Sequence, residues 1–188
     1  EYNKPRATVE QVYDEIIRDL AFAAENLPTR QQWGTKELGR GTKGTAQGLL
    51  AKVYLFRQNY QQAFNYADSV IVRGEYDLHP NYRDLFNPSS FYSDEVMLGD
   101  QFLWQDNRDN ESQFVMWQGV RGYWGWGYLA PTESLADAYE AGDPRRGATI
   151  FFDGDTVEGV GKINFAAGLQ PRANHKVIWP VSYWNANS

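Results

Sequence analysis

The chain has 188 residues, 42% hydrophobic and 22% charged, which is enough apolar material for a substantial core and far from the composition of a disordered polymer. Its formal charge of −6, with no basic cluster, disfavours partners held through Lys and Arg contacts to phosphate, nucleic acid and an anionic membrane surface alike. Without cysteine it can form neither disulfides nor thiolate metal sites, and no apolar run approaches the length of a membrane span.

The first element is announced by Thr8-x-x-Gln11, a capping box. Behind it Val9, Val12, Ile16, Leu20, Ala23 and Leu27 recur as one apolar stripe, which predicts a helix over 9–26. Pro28 biases the residue before it away from helix and sets the end. Residues 28–42 show no periodicity and read as a surface loop. From Gly41 to Gly74 the pattern predicts two antiparallel helices. Ala46, Leu49, Leu50, Val53 and Tyr54 recur at helical spacing, then Tyr60, Ala63, Phe64, Ala67, Val70 and Ile71. Asn59 between the sets tolerates the left-handed conformation that ends a helix, and Gly74 after the cationic Arg73 ends the second. Ala51, Ala63 and Ala67 allow close backbone approach beside Tyr54 and Tyr60. Leu50-Ala51-x-x-Tyr54 followed by Ala63 resembles the core of a tetratricopeptide repeat. Such hairpins need neighbours to cover their faces, so further helices are expected outside this sequence.

Beyond Leu78 the composition turns to aromatics, Asn, Asp and Gly, and helical periodicity is lost. Residues 95–98 and 113–117 are candidate strands across a polar loop, 105–112. Pro131-Thr132 starts a helix with Thr132 as cap and Leu135, Ala136 and Tyr139 on its buried face, ended by Gly142-Asp143-Pro144. Residues 149–152, a turn at Asp153-Gly154, and 156–157 suggest a hairpin. Residues 162–165 and 177–179 are weaker strand candidates. The expected fold is mainly α: tetratricopeptide-like helices over 1–78 and an irregular, aromatic-rich layer with short strands over 79–188, together one domain.

That second layer carries the functional signal. Trp104, Trp117, Tyr123, Trp124, Trp126 and Tyr128 are interleaved with Gly119, Gly122, Gly125 and Gly127, which favours a loop presenting rings over a packed helix. Flat apolar faces of pyranose rings stack on such side chains while polar neighbours bind the hydroxyls. The candidate ligand-binding residues are Trp104, Trp117, Tyr123, Trp124, Trp126 and Arg121, with Gln118, Asp106, Asn107 and Arg108 as further polar neighbours. The competing expectation is that the rings are core, or that they pack the loop onto the helices.

Catalysis has little support. The acid pairs Asp94/Glu95, Asp106/Asp109, Glu133/Asp137 and Asp153/Asp155 lack the context of a glycosidase. Only His79 and His175 are present, in a turn and a loop, and there is no G-x-S-x-G, P-loop or H-E-x-x-H. Asp153, Asp155 and Glu158 could be read as Ca²⁺ ligands, but without EF-hand spacing they read better as a hairpin turn. Asp143-Pro144-Arg145 reads as a cap and turn, with Arg145 or Arg146 available for an ion pair. No metal or cofactor is expected.

An ordered set of motifs now points to a family. Ile17-x-Asp19-Leu20, Leu27-Pro28, Gly39-Arg40-Gly41-Thr42-Lys43, Gly74-x-Tyr76-x-Leu78 and Tyr82-x-x-Leu85-Phe86 are followed by Asp94-Glu95-Val96. Pro131-Thr132-x-x-Leu135-x-x-x-Tyr139 and Asp143-Pro144-Arg145 complete the series. In that order they resemble the SusD/RagB family of surface lipoproteins. The resemblance implies a non-catalytic protein on the outer face of the outer membrane of a Bacteroidetes-type cell. Its lipid anchor would lie upstream of Glu1, and it would pass glycan to a SusC-like TonB-dependent transporter. Members are usually longer, so the sequence is expected to be an internal piece. The alternatives are a helical-repeat protein of the same transport system that binds peptide or protein along the 41–74 hairpin and, last, a glycan-active enzyme.

Overall fold

The computed structural model describes residues 5–99, 114–123, 125–165 and 171–178. The fold is mainly α, and the chain divides into two compact units: Glu1–Leu78 with Tyr92–Gln101, and His79–Phe91 with Phe102–Ser188.

The helical unit is built on threonine caps. In α1 (Val9–Asn26) the Thr8 hydroxyl accepts from Gln11 N–H and the Gln11 side chain returns the bond to Thr8 N–H, as its capping box predicts. Thr29 does the same with Gln32, so the stretch expected as loop contains a short helix, α2 (Arg30–Trp33), and a 3₁₀ turn over Thr35–Glu37. Here the local Thr-x-x-Gln signal outweighs the lack of apolar periodicity. Thr42 opens α3 (Lys43–Phe56), and its hydroxyl both accepts from Thr45 N–H at 3.0 Å and meets the Tyr76 hydroxyl at 2.5 Å.

Helix α4 (Tyr60–Arg73) runs back along α3, and α3 also packs on α1. The turn differs from expectation at one residue. Gln58, not Asn59, takes the left-handed conformation (φ 59°), and Asn59 instead caps α4 by accepting from Gln62 N–H. A side-chain amide one residue before a helix is more useful as a cap than as a C-terminal stop. Gly74 ends α4 in the left-handed region as expected. The core of this unit is Ala24, Ala46 and Leu50, with Ile17, Leu20, Ala23, Tyr54 and Tyr66 around them. Tyr54 and Tyr66 stack across the hairpin at 5.6 Å and 6°.

Two parts of the expected apolar stripes stay outside this core. Val9, Val12 and Ile16 on α1 are exposed, because α3 covers only the face that carries residues 17–24. Leu49 on α3 and Tyr60, Phe64 and Ile71 on α4 are also exposed.

Residues 95–98 do not form a strand. Two of their carbonyls are engaged by side chains instead: Arg30 donates to Val96, as it does to Tyr92 and Ser93 just before, and the Thr45 hydroxyl donates to Met97. That consumes the acceptors a sheet partner would need.

In the second unit, α5 (Phe114–Gln118) stands where 113–117 was expected to be a strand. Gly119 N–H donates to Val115 at 2.8 Å, and burial falls on Gln118 with Val115 half-buried, a helical spacing and not an alternation. Thr132 caps α6 (Glu133–Asp137) as predicted. Ala136 is buried and Tyr139 half-buried, but Leu135 is exposed and the helix ends well before Gly142. One turn later Asp143 opens a new helix, α7 (Pro144–Thr149), with Pro at its first position. Asp143 accepts from Arg145 N–H and pairs with the Arg145 guanidinium, so the cap-and-turn reading holds.

Strand β1 (Ile150–Phe152) is where it was expected, but its partner is not. It pairs antiparallel with β4 (Arg172–Asn174), Phe151 facing Ala173, while β2 (Thr156–Val157) pairs with β3 (Gly161–Lys162). The turn at Asp153-Gly154 therefore redirects the chain between two ladders. The Asp155 carboxylate accepts from Phe152 N–H at 2.7 Å and Asp153 from Phe165 N–H at 2.6 Å, which ties these acids to the backbone. No group of acids and histidines suited to a metal is found among the described residues. Of residues 177–179, Val177 lies in a 3₁₀ turn, His175–Val177, and not in a strand; Trp179 is outside the described residues. Val120, Phe151, Val157, Ile163, Ala173 and Ile178 form the core of this unit.

Candidate functional site

The aromatic loop is shaped by one buried residue and a lattice of backbone bonds. After α5 the chain plunges to Val120, which is fully buried in the second core, and then returns over α5. Trp126 N–H donates to Met116 and Tyr128 N–H to Trp117, each at 2.8 Å; Gly127 N–H donates to Gly119 at 3.0 Å. Tyr123 and Gly125 N–H both donate to the Val120 carbonyl at 3.1 Å. The return pass lies so close that a Cβ on Gly125 would sit 2.3 Å from the Met116 carbonyl oxygen. Only glycine fits there.

With its backbone turned inward, this segment turns rings outward. Trp117 is 42% exposed, Tyr123 48%, Trp126 48% and Tyr128 54%. Trp126 and Tyr128 meet edge to face at 5.9 Å and 75°, a favourable arrangement that fixes the angle between two open ring faces. Arg121 is exposed in the same loop, bridged through its backbone to Gly125. Leu129, at φ 56° and 73% exposed, closes the loop in a conformation that branched and bulky residues rarely adopt.

The structure thus brings Trp117, Arg121, Tyr123 and Trp126 onto one folded-back segment. Trp104 and Trp124 lie outside the described residues, as do Asp106, Asn107 and Arg108. Gln118 does not serve as a hydroxyl-binding neighbour: it is buried and accepts from the Asn174 amide, which ties α5 to β4. Tyr128, counted among the clustered rings but not assigned to the site, belongs with Trp126. The Trp126-Gly127-Tyr128 run is the signal that finds it: Gly127, at φ 71°, turns the chain between two rings that then meet. Among the described residues the helical unit has a shallow concavity of about 20 Å³, lined by Arg30, Trp33, Arg40 and Tyr76 among others. Its cations are already engaged, Arg40 with Glu37 and Arg30 with three backbone carbonyls.

Comparison with known proteins supplies a frame for this geometry. A SusD-like family profile, described as starch-binding associating with outer membrane, matches residues 1–55. A SusD-like protein of Bacteroides ovatus is 30% identical over 168 residues, covering 80% of this chain and 30% of that protein. A crystal structure of a SusD-like protein from Bacteroides fragilis superposes with a TM-score of 0.79 at 24% identity, covering 94% of this chain and 44% of the other. Surface glycan-binding protein A from Bacteroides thetaiotaomicron, solved in complex with laminarihexaose, superposes with a TM-score of 0.64 at 19% identity, covering 92% of this chain and 43% of that one. The chain spans about 30% of the length of the curated relative. The ordered motifs, the profile match across α1 and α3 and the shared fold lead to one conclusion: the chain belongs to the SusD/RagB family.

Proposed function

We propose that this chain forms the glycan-capturing part of a non-catalytic surface protein, with Trp117, Tyr123, Trp126 and Tyr128 as a stacking platform and Arg121 as a polar neighbour. The observation that carries the reading is four half-exposed rings on a segment whose backbone is locked onto α5 by internal hydrogen bonds. Burying several large apolar surfaces is normally favourable, so rings held open in this way are available for a ligand with flat apolar faces. A pre-set backbone also lowers the ordering cost of binding, and aromatic side chains have few rotors to freeze. Trp104 and Trp124 are proposed as further members of the same platform. The laminarihexaose complex of the Bacteroides thetaiotaomicron protein supports a glycan as the ligand class.

The acids fit a binding role better than a catalytic one. Asp153 and Asp155 hold backbone amides, Asp143 caps α7, and Glu133 lies 3.7 Å from Arg172. The family further suggests an outer-membrane, lipid-anchored setting and delivery of glycan to a SusC-like TonB-dependent transporter. The peptide-binding alternative rests on the exposed Tyr60, Phe64 and Ile71 of α4, which present apolar anchors at helical spacing. Affinity electrophoresis through gels containing soluble polysaccharides, beside a peptide array, separates the two. Retardation by one polysaccharide supports the ring platform. Silence toward every glycan together with binding of peptides, lost in Phe64→Ala, favours the α4 face.

A further inference from the structure

Away from the rings, the second unit gathers a group of hydrogen-bond donors that have no acid partner. Lys176 projects between two aromatic rings, with its ammonium 4.3 Å from the centre of Phe86 and 5.3 Å from that of Tyr82. The two rings meet edge to face at 5.2 Å and 80°, so they form two walls around the cation. The backbone fixes its origin: Asn174 caps the His175–Val177 turn by accepting from Lys176 N–H at 3.1 Å. None of the ion pairs found among the described residues uses Lys176.

The neighbours of the ammonium extend the same bias. Lys176 lies within hydrogen-bonding reach of the Tyr82 hydroxyl and holds that phenol below its ordinary pKa. An ammonium can only donate, so it occupies the phenolic oxygen and leaves the Tyr82 O–H as a donor. The Thr149 hydroxyl lies near Tyr82, is buried, and makes no hydrogen bond of good geometry. Arg145 adds its field to the same phenol; its own partner, Asp143, is also the cap of α7. A buried hydroxyl without a well-formed hydrogen bond, beside an ammonium that has a phenol and ring faces but no anionic partner, is a costly arrangement that an arriving oxyanion would relieve.

We infer that Lys176, Tyr82 and Thr149 form an oxyanion subsite, whose ligand is the carboxylate or sulfate ester of an acidic sugar. Three donors of different reach converge there without a carboxylate among them, which is the pattern an oxyanion completes and a neutral hydroxyl does not. The apolar walls of Tyr82 and Phe86 offer a surface for the sugar ring that bears the charge. In a chain of net charge −6 this is a local reversal of sign, and it selects against the long-range field that would otherwise repel such a ligand. The choice of an acidic sugar over a free anion rests on the glycan reading above; the donor cluster does not.

Calorimetric titration of the protein with sodium sulfate and with a methyl uronide, at constant ionic strength, tests this. Saturable binding that weakens about ten-fold or more in Lys176→Met and several-fold in Tyr82→Phe is expected. Methionine keeps an apolar stem between the rings, and phenylalanine keeps the wall while removing only the O–H, so both variants retain the packing. A response to sulfate alone or to the uronide alone supports the subsite and names its ligand. Absence of binding to both, or equal binding in both variants, overturns it. A neutral hexasaccharide titrated into the unmodified protein gives the independent readout: its failure with the anion response intact refutes the ring platform and leaves the subsite standing.

Discussion

Gly125→Ala is the sharpest perturbation of the ring platform, because it alters a residue that contributes no ring. The added methyl would meet the Met116 carbonyl oxygen at 2.3 Å and the Gly119 Cα and N at 2.7 and 2.8 Å. All three are backbone atoms, so no side-chain rotation relieves the clash. Overpacking of this kind costs about 1–3 kcal/mol when the surroundings yield by small shifts. If the return pass lifts instead, it forfeits the bonds of Gly125, Trp126, Gly127 and Tyr128 N–H, each worth about 0.5–1.5 kcal/mol. Either route destabilises the loop, by at least about 1 kcal/mol for the first and about 2 kcal/mol for the second, and lifting also scatters the rings. Amide hydrogen exchange should show protection lost at Trp126 and Tyr128 N–H, with glycan retardation reduced. Gly122→Ala is the control. Its φ of 86° disfavours alanine by roughly 1–2 kcal/mol, but there is open space for the methyl, so the lattice should survive. Unchanged exchange at positions 126 and 128 in Gly125→Ala would refute the locked-loop account.

The other expected outcomes concern the scaffold. A double-mutant cycle on Tyr54 and Tyr66, each to Leu, should give a coupling of about 0.5–1.5 kcal/mol for their stacked rings; a value near zero would make the contact incidental. Thr42→Val removes a buried cap and leaves the Tyr76 hydroxyl without its partner, for about 2–3 kcal/mol in urea unfolding. Thr42→Ser should restore most of it, and an equal loss in both would point to lost packing. His175 donates from Nδ1 to the Gly147 carbonyl at 2.5 Å and packs on Phe151, and burial pushes its pKa below the ordinary value. The unfolded chain therefore takes up this proton first. Stability from His175 is complete above about pH 6.5 and is lost as the pH falls from there through the folded value. His175→Gln should flatten that part of the pH–stability curve, and an unchanged slope would assign it to another group.

What the sequence revealed followed the range of the forces involved. Helix α1, the α3–α4 hairpin and the Thr132 start were legible because capping and 3.6-residue periodicity act within one turn. The same short-range logic was missed at Thr29-x-x-Gln32, where a capping box stood without an apolar stripe. Pairing of β1 with β4 was not legible, since strands of two or three residues carry no register information and their partners are chosen by the core around Phe151 and Ile163. Residues 95–98 look like a strand by composition, yet Arg30 and Thr45, from a distant part of the chain, take the Val96 and Met97 carbonyls. At the site, the glycines announced a ring-bearing loop, but the burial of Gln118 depends on Asn174 and could not be seen locally. Lys176 between Tyr82 and Phe86 is also a purely tertiary meeting.

The central claim is that glycan is held on the exposed rings of the α5 loop. A tryptophan fluorescence titration with a panel of neutral and acidic oligosaccharides, carried out on the protein and on Trp117→Ala/Trp126→Ala, tests it most directly. Both rings are about half exposed, so the double substitution should leave unfolding nearly unchanged, and the folded variant serves as its own control. The account predicts a saturable change with one glycan, followed by loss of binding of about a hundred-fold or more in the folded double variant, since each stacked ring is worth about 0.5–1.5 kcal/mol beyond the area it buries. Unaltered affinity in that variant, measured calorimetrically on the same glycan, would contradict it.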